Sequence, residues 1–152
     1  MAIVITAALT LLGGILLLIA NQWAHQLVLA PWREQRQALG QVEFWLTCLG
    51  ALYANPIPWA ELPPDAREER QAAARALRQA AGTLLATTTA VWGYQRFRLT
   101  PPLADIREAV RVLLALSNAL YNARGEGRFN TDKAYRVRHL LRFEVIAEEP
   151  QP

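Results

Sequence analysis

Cysteine is almost absent from this chain: Cys48 is the only one in 152 residues. That count excludes an intramolecular disulfide and a cysteine-built metal cluster. Cys48 lies in the apolar stretch Phe44-Trp45-Leu46-Thr47-Cys48-Leu49, where a buried, inert thiol is expected. Lysine is nearly as scarce, with Lys133 alone among the 16 basic residues. The two histidines, His25 and His139, are too far apart in the chain to form a helical pair of metal ligands. There is no glycine-rich phosphate loop, no H-E-x-x-H, no G-x-S-x-G and no carboxylate run with calcium-loop spacing. Gly125-x-Gly127 is a turn without the rest of a dinucleotide fingerprint. Carboxylates such as Glu43, Glu61 and Glu108 have no paired arrangement in their spacing. The expectation is a non-enzymatic protein with no catalytic residue, no metal site and no cofactor.

Charge is missing from a whole region. Residues 1–32 contain no Asp, Glu, Lys or Arg, so the net charge of +3 is carried entirely by the rest of the chain. The length suits one domain, or one small domain with an anchor. At 53% apolar residues the chain is not disordered, and it is too short for a barrel enzyme. Residues 2–20 read AIVITAALTLLGGILLLIA. As a helix this stretch spans about 28 Å, close to the ~30 Å hydrocarbon core of a bilayer.

Trp23 and Trp32 follow where an aromatic belt sits, and Arg33 and Arg36 come next, suited to anionic lipid head groups. The segment lacks the basic n-region and cleavage site of a signal peptide. It is therefore read as a permanent single transmembrane anchor over residues 1–31. Basic residues only on its C-terminal side place the protein in a bacterial inner membrane, N-terminus outside and C-terminal domain cytoplasmic.

Within the segment, Ile3, Thr6, Thr10, Gly13, Leu17, Ala20 and Ala24 form a seam rich in small residues, widened by Gly14. Such seams let helices approach closely in lipid, so Thr6, Thr10, Gly13 and Gly14 are the candidate association residues of a homo-oligomer. Asn21 and His25, four apart, could ring a pore mouth in such an oligomer, or simply be interfacial polar groups.

Beyond the anchor the punctuation is helical. Residues 32–55 place Leu39, Val42, Leu46, Leu49 and Leu52 at helical spacing and form a stalk or first bundle helix, with Pro31 as a kink or break. Residues 56–64 are a proline-rich loop. Asp65-x-x-Glu68 has the spacing of a capping box and starts a long helix. The second half of that helix, within an uncharged run at residues 79–95, must be held by packing or by lipid, and a second membrane segment is an alternative there.

Thr100-Pro101-Pro102 starts a further helix with an apolar face of Ile106, Val110, Leu113, Leu114, Ser117 and Leu120. A last helix from about 131 to 143 carries Ala134, Val137 and Leu141 on one side. Residues 65–145 thus form a small cytoplasmic antiparallel helical bundle, and residues 146–152 a frayed tail.

Arg128, Arg136, Arg138 and Arg142 form a candidate patch for an anionic partner. The alternative is the solvated face of the last helix. The leading expectation is an assembly or interaction subunit of a membrane complex, self-associating through its anchor. A homo-oligomeric pore or membrane-perturbing effector is the first alternative. A membrane-tethered binder of nucleic acid or an acidic protein is the second, and nucleic acid is the less favoured partner because no recognition motif supports it.

Overall fold

The computed structural model describes residues 1–91, 101–121 and 127–143, without the side chains of residues 2–4, 7–9, 27 and 28. The described residues contain six α-helices and no strand: α1 (Ala2–Ala24), α2 (Ala30–Cys48), α3 (Gly50–Ala54), α4 (Pro64–Ala90), α5 (Leu103–Ala119) and α6 (Gly127–Leu141). An all-α bundle is therefore established.

Its centre is α4. Ala73, Ala74, Leu77, Ala80, Ala81, Leu84 and Thr88 are buried on it, forming two adjacent apolar stripes. One stripe packs against α2 and the other against α5, while α6 lies across α5 and touches α3. Alanines at these contacts let the helix backbones approach closely while the leucines fill the space between them. Val42 and Leu46 from α2, Ile106, Leu113 and Leu116 from α5, and Val137 from α6 complete one fully buried core.

Among the described residues no helix is long and apolar enough to cross a membrane. The expectation of a single transmembrane anchor is corrected on that finding. The last turn of α1 holds the amides of Asn21 and Gln22, polar groups that are disfavoured inside a bilayer. With the span goes the inner-membrane placement, together with the outside N-terminus and the cytoplasmic C-terminal domain derived from it. A pore lined by α1 loses its geometric basis for the same reason. A second membrane segment within residues 79–95 is likewise not seen up to Ala90, where the second half of α4 is held by packing. The hydroxyls of Thr87, Thr88 and Thr89 donate back to the carbonyls of Thr83, Leu84 and Ala86 at 2.9, 2.7 and 2.9 Å, so no polar group is lost to the core. Residues 92–95 lie outside the described residues.

Pro31 breaks nothing. The helix between α1 and α2 widens into a π turn at His25–Leu29, where the Ala30 N–H donates to the His25 carbonyl. Pro31 then sits in the first turn of α2, the position at which a proline ring and its missing N–H are tolerated. The expected helix over residues 32–55 is interrupted once, at Leu49, and its apolar positions Val42, Leu46 and Leu49 are buried as their spacing predicts.

Two helix starts differ from expectation. The helix expected at Asp65 begins with Pro64 after an extended Pro63, and no side chain caps it. Proline in the first turn supplies the start that the Asp65/Glu68 box was expected to provide. The last helix starts at Gly127, four residues before Thr131, and Gly127 lies against the end of α3. A Cβ there would overlap the Ala54 carbonyl oxygen and come to 2.9 Å of Pro56 Cδ. The expected N-cap Thr100, the stop at Gly125-Glu126 and the tail 146–152 lie outside the described residues.

The end of α6 is a Schellman turn. Phe143 N–H donates to the Arg138 carbonyl at 3.0 Å and Arg142 N–H to the His139 carbonyl at 3.2 Å, the 6→1 and 5→2 pattern of that motif. Arg142 holds the left-handed position with φ 57°, where a side chain costs about 1–2 kcal/mol relative to glycine. Arg142→Gly is expected to raise the urea midpoint at unchanged slope, by a net gain of roughly 0.5–1 kcal/mol after the added chain entropy. Gly127→Ala is expected to lower stability by about 1–3 kcal/mol in the same measurement, as overpacking does.

Candidate functional site

Two regions stand out on this fold, a projecting helix and an arginine-lined face. The helix comes first. Of the other elements, α1 meets substantially only the π turn that follows it. Its large aliphatic side chains are therefore uncovered, among them Leu11, Leu12, Leu16 and Leu17, with Leu17 73% exposed. A helix apolar on all sides is one that is buried in its working state. Thr10 returns its hydroxyl to the Thr6 carbonyl at 2.9 Å, so this side of the helix presents methyl groups. A Cβ added at Gly13 or Gly14 would meet nothing within 4 Å. All four candidate association residues thus lie on the projecting helix, open to a neighbour. Asn21 and His25 are exposed at its base. Trp23 is exposed there too, Trp32 is half-buried, and Arg33 and Arg36 are exposed on the first turns of α2.

The arginine patch does not assemble as one surface. Arg138 donates through Nε to both oxygens of Glu43 at 2.9 and 3.2 Å and through Nη2 to Thr47 at 3.1 Å. It therefore ties α6 to α2. Arg136 donates to Glu108 at 2.9 Å, and Arg111 shares that carboxylate at 3.1 Å. Two of the four patch residues thus face carboxylates, Arg142 occupies the helix cap, and Arg128 is exposed at the other end of α6. The two exposed arginines on Glu108 contribute about 0–1 kcal/mol each and mainly cancel positive charge, whereas the part-buried Arg138–Glu43 pair holds two helices together.

The buried polar groups escaped the sequence reading. Pro56, Pro58, Pro63 and Pro64 remove backbone donors from the loop between α3 and α4, and its carbonyls need donors from elsewhere. Arginines on the first turns of α4 supply them. Arg70, only 3% exposed, donates to the Ile57 carbonyl at 3.0 Å and the Asn55 carbonyl at 3.4 Å. Arg67 donates to the Ala60 carbonyl at 3.2 Å. Burial pushes the Arg70 pKa down, opposed by the Glu69 carboxylate.

Further along α4, Arg78 donates to Ser117 at 3.2 Å and Asn118 at 2.9 Å and lies 5.6 Å over the Tyr121 ring. Tyr121 in turn packs on Trp59 of the loop at 5.4 Å. Asn130 is buried and donates to the Tyr53 carbonyl at 3.3 Å. Because Glu43 meets Arg138 and Tyr53 meets Asn130, α6 runs antiparallel to α2 and α3. The one signal that could have located Arg70 in the sequence is the density of prolines just ahead of an arginine-rich first turn.

Tyr53 donates its hydroxyl to the Leu46 carbonyl at 2.7 Å across the break between α2 and α3. Burial raises its pKa above the usual 10.0, Arg138 opposes, and Glu43 and Tyr135 add to the rise. Cys48, expected inside, is exposed, because the buried stripe of α2 runs through Val42 and Leu46 and turns position 48 outward. Among the described residues no group of three His, Cys, Asp or Glu side chains could hold a metal ion.

Arg70→Met is expected to cost about 2–4 kcal/mol, since it removes two charge-assisted hydrogen bonds and leaves two loop carbonyls unsatisfied; urea unfolding measures it. The raised Tyr53 pKa means that the folded protein holds the phenolic proton more tightly than the unfolded chain. This stabilisation is complete below pH 10 and is lost as pH climbs through the raised folded value. Tyr53→Phe is expected to flatten that alkaline loss of stability while lowering stability at pH 7 by about 1 kcal/mol.

No protein-family model matches the chain, and neither a curated protein nor a solved structure matches it.

Proposed function

We propose that this protein is a non-enzymatic assembly module, which self-associates through α1 and presents its four-helix bundle to the other subunits of a complex. The observation that carries this reading is the uncovered state of α1, whose described large apolar side chains are exposed. Burying such side chains is worth about 1.5–3 kcal/mol each, a larger drive than any polar contact on the bundle surface supplies. Thr6, Thr10, Gly13 and Gly14 form the side on which a neighbouring helix comes closest. The absence of charge before Arg33 leaves nothing in residues 1–32 to repel a second copy beyond the terminal amine. An anionic partner at α6 is the weaker reading, because Arg136 and Arg138 already face carboxylates.

The mass of the full chain in solution, followed by light scattering over a concentration series, tests this function. The wild type is expected as a defined oligomer and Gly13→Leu/Gly14→Leu as a smaller species. The open space at both glycines means that the double variant keeps the monomer fold. A wild type that stays at monomer mass at all concentrations would overturn self-association. Wild-type monomers that bind liposomes would replace it with a lipid surface as the partner of α1.

A further inference from the structure

One line of large residues on α1 continues a line that the bundle already buries. Ile5, Leu12, Leu16, Ile19 and Trp23 are each exposed, and with Leu9 between the first two their spacing in the sequence is four, three, four, three, four. That alternation is the a/d seam of a coiled coil, here with a large side chain at every step. One extra residue in the π turn at His25–Leu29 sets the following helix back by about 100°. The seam thereby comes into line with Gln35, Ala38, Val42 and Leu46, the buried side of α2. After the turn, α4 packs on this line. Before it, the described side chains of the seam are exposed.

Resting on the self-association just proposed, we infer that two copies of α1 pair antiparallel along this seam, with the two bundles at opposite ends. The direction follows from the alignment at the turn. A second α1 on the seam stands on the side to which α2 presents its bundle. In a parallel pair the second bundle would therefore fall in the volume that the first already fills. In the antiparallel pair Ile5 meets Trp23 and Leu12 meets Leu16, twice each about a two-fold axis. The partner's first residue comes level with the π turn, and the buried part of α2 begins only at Gln35, so the helix end clears the bundle. Thr6, Gly13 and Ala20 each follow a seam residue by one and flank it on one side. Their small side chains let the two axes come close, with the two copies of Gly13 facing each other near the axis. Residues 2–32 carry no charge to oppose this direction. At roughly 60–120 Å² for each large side chain the seam buries on the order of 1,000 Å² over both copies, which reaches the ~1,000 Å² that a specific interface requires.

Cross-linking of the full chain tests the direction. In a Cys48→Ala background, Ile5→Cys and Trp23→Cys are oxidised separately and as an equal mixture. The mixture is expected to give a disulfide-linked pair containing one copy of each, and either variant alone to stay unlinked. Self-linking of either variant overturns the direction, because a parallel seam brings each residue to its own copy. A mixture that assembles without linking overturns it as well. Cys48, the sole cysteine and exposed, gives a second reading on the unaltered chain. Labels there stand about 100 Å apart in the antiparallel pair, so energy transfer between them is expected to be absent, and strong transfer overturns the inference. Light scattering then locates the contact. Leu12→Glu/Leu16→Glu charges the seam and is expected at monomer mass. Leu11→Glu/Leu18→Glu, at exposed positions on another side of α1, is expected to keep the wild-type mass. Circular dichroism of each variant checks that the bundle is intact. The reverse pattern takes the contact off the seam: the antiparallel pair falls and self-association stands. A monomeric wild type overturns both.

Discussion

The bundle depends on the close approach that alanines permit along α4. Ala73, Ala74, Ala80 and Ala81 are buried there together with Leu77 and Leu84, and the helix is flanked by α2 on one side and α5 on the other. With bulkier residues at these four positions the two neighbours could not both lie against it. The leucines of α4 and α5 and the valines of α2 and α6 would then lose the common volume that they fill. Every other feature is arranged around that contact: the proline-rich loop folds back over the start of α4, and α6 closes the far side against α5 and α3.

Arginine dominates the basic residues, and several arginines tie one element to another. Arg70 and Arg67 hold the carbonyls of a loop whose prolines cannot hydrogen-bond them, and Arg78 ties α4 to the end of α5. Arg138 bridges α6 to α2 through a carboxylate. A planar guanidinium with five donors suits this task better than an ammonium does, and it can serve two carbonyls of a turn at once. Part of what composition suggests is a basic surface is thus spent on ties between elements.

The sequence carried the helices and their inner faces well. Val42, Leu46 and Leu49, then Ile106, Val110, Leu113 and Leu120, then Ala134, Val137 and Leu141 are all buried at the positions that helical spacing assigns. Leu114, placed on the same face from its neighbour, is 40% exposed, one step around the helix from the buried stripe. What periodicity could not carry was anything set by a partner distant in the chain. Position 127 takes glycine because the Ala54 carbonyl is in the way of a side chain. Arg70 is buried because a loop thirteen residues earlier lacks donors. The apolar opening stretch was the strongest signal in the chain and the least specific. Its composition demands cover of some kind, and a lipid span is only one form that cover can take.

The π turn at His25–Leu29 has an effect beyond accommodating Pro31. Its five residues advance by about 80° each in place of the usual 100°, so the helix beyond it is turned by roughly a quarter circle from a straight α-helical continuation. In an unbroken helix, Thr6, Thr10 and Leu17 would share a line with Ala38, Val42 and Leu46, and that side of α1 would point the same way as the bundle-facing side of α2. The widened turn separates those two directions. The bundle is thereby swung sideways relative to the small-residue side of α1, and one inserted residue fixes the compass bearing at which it hangs from that helix.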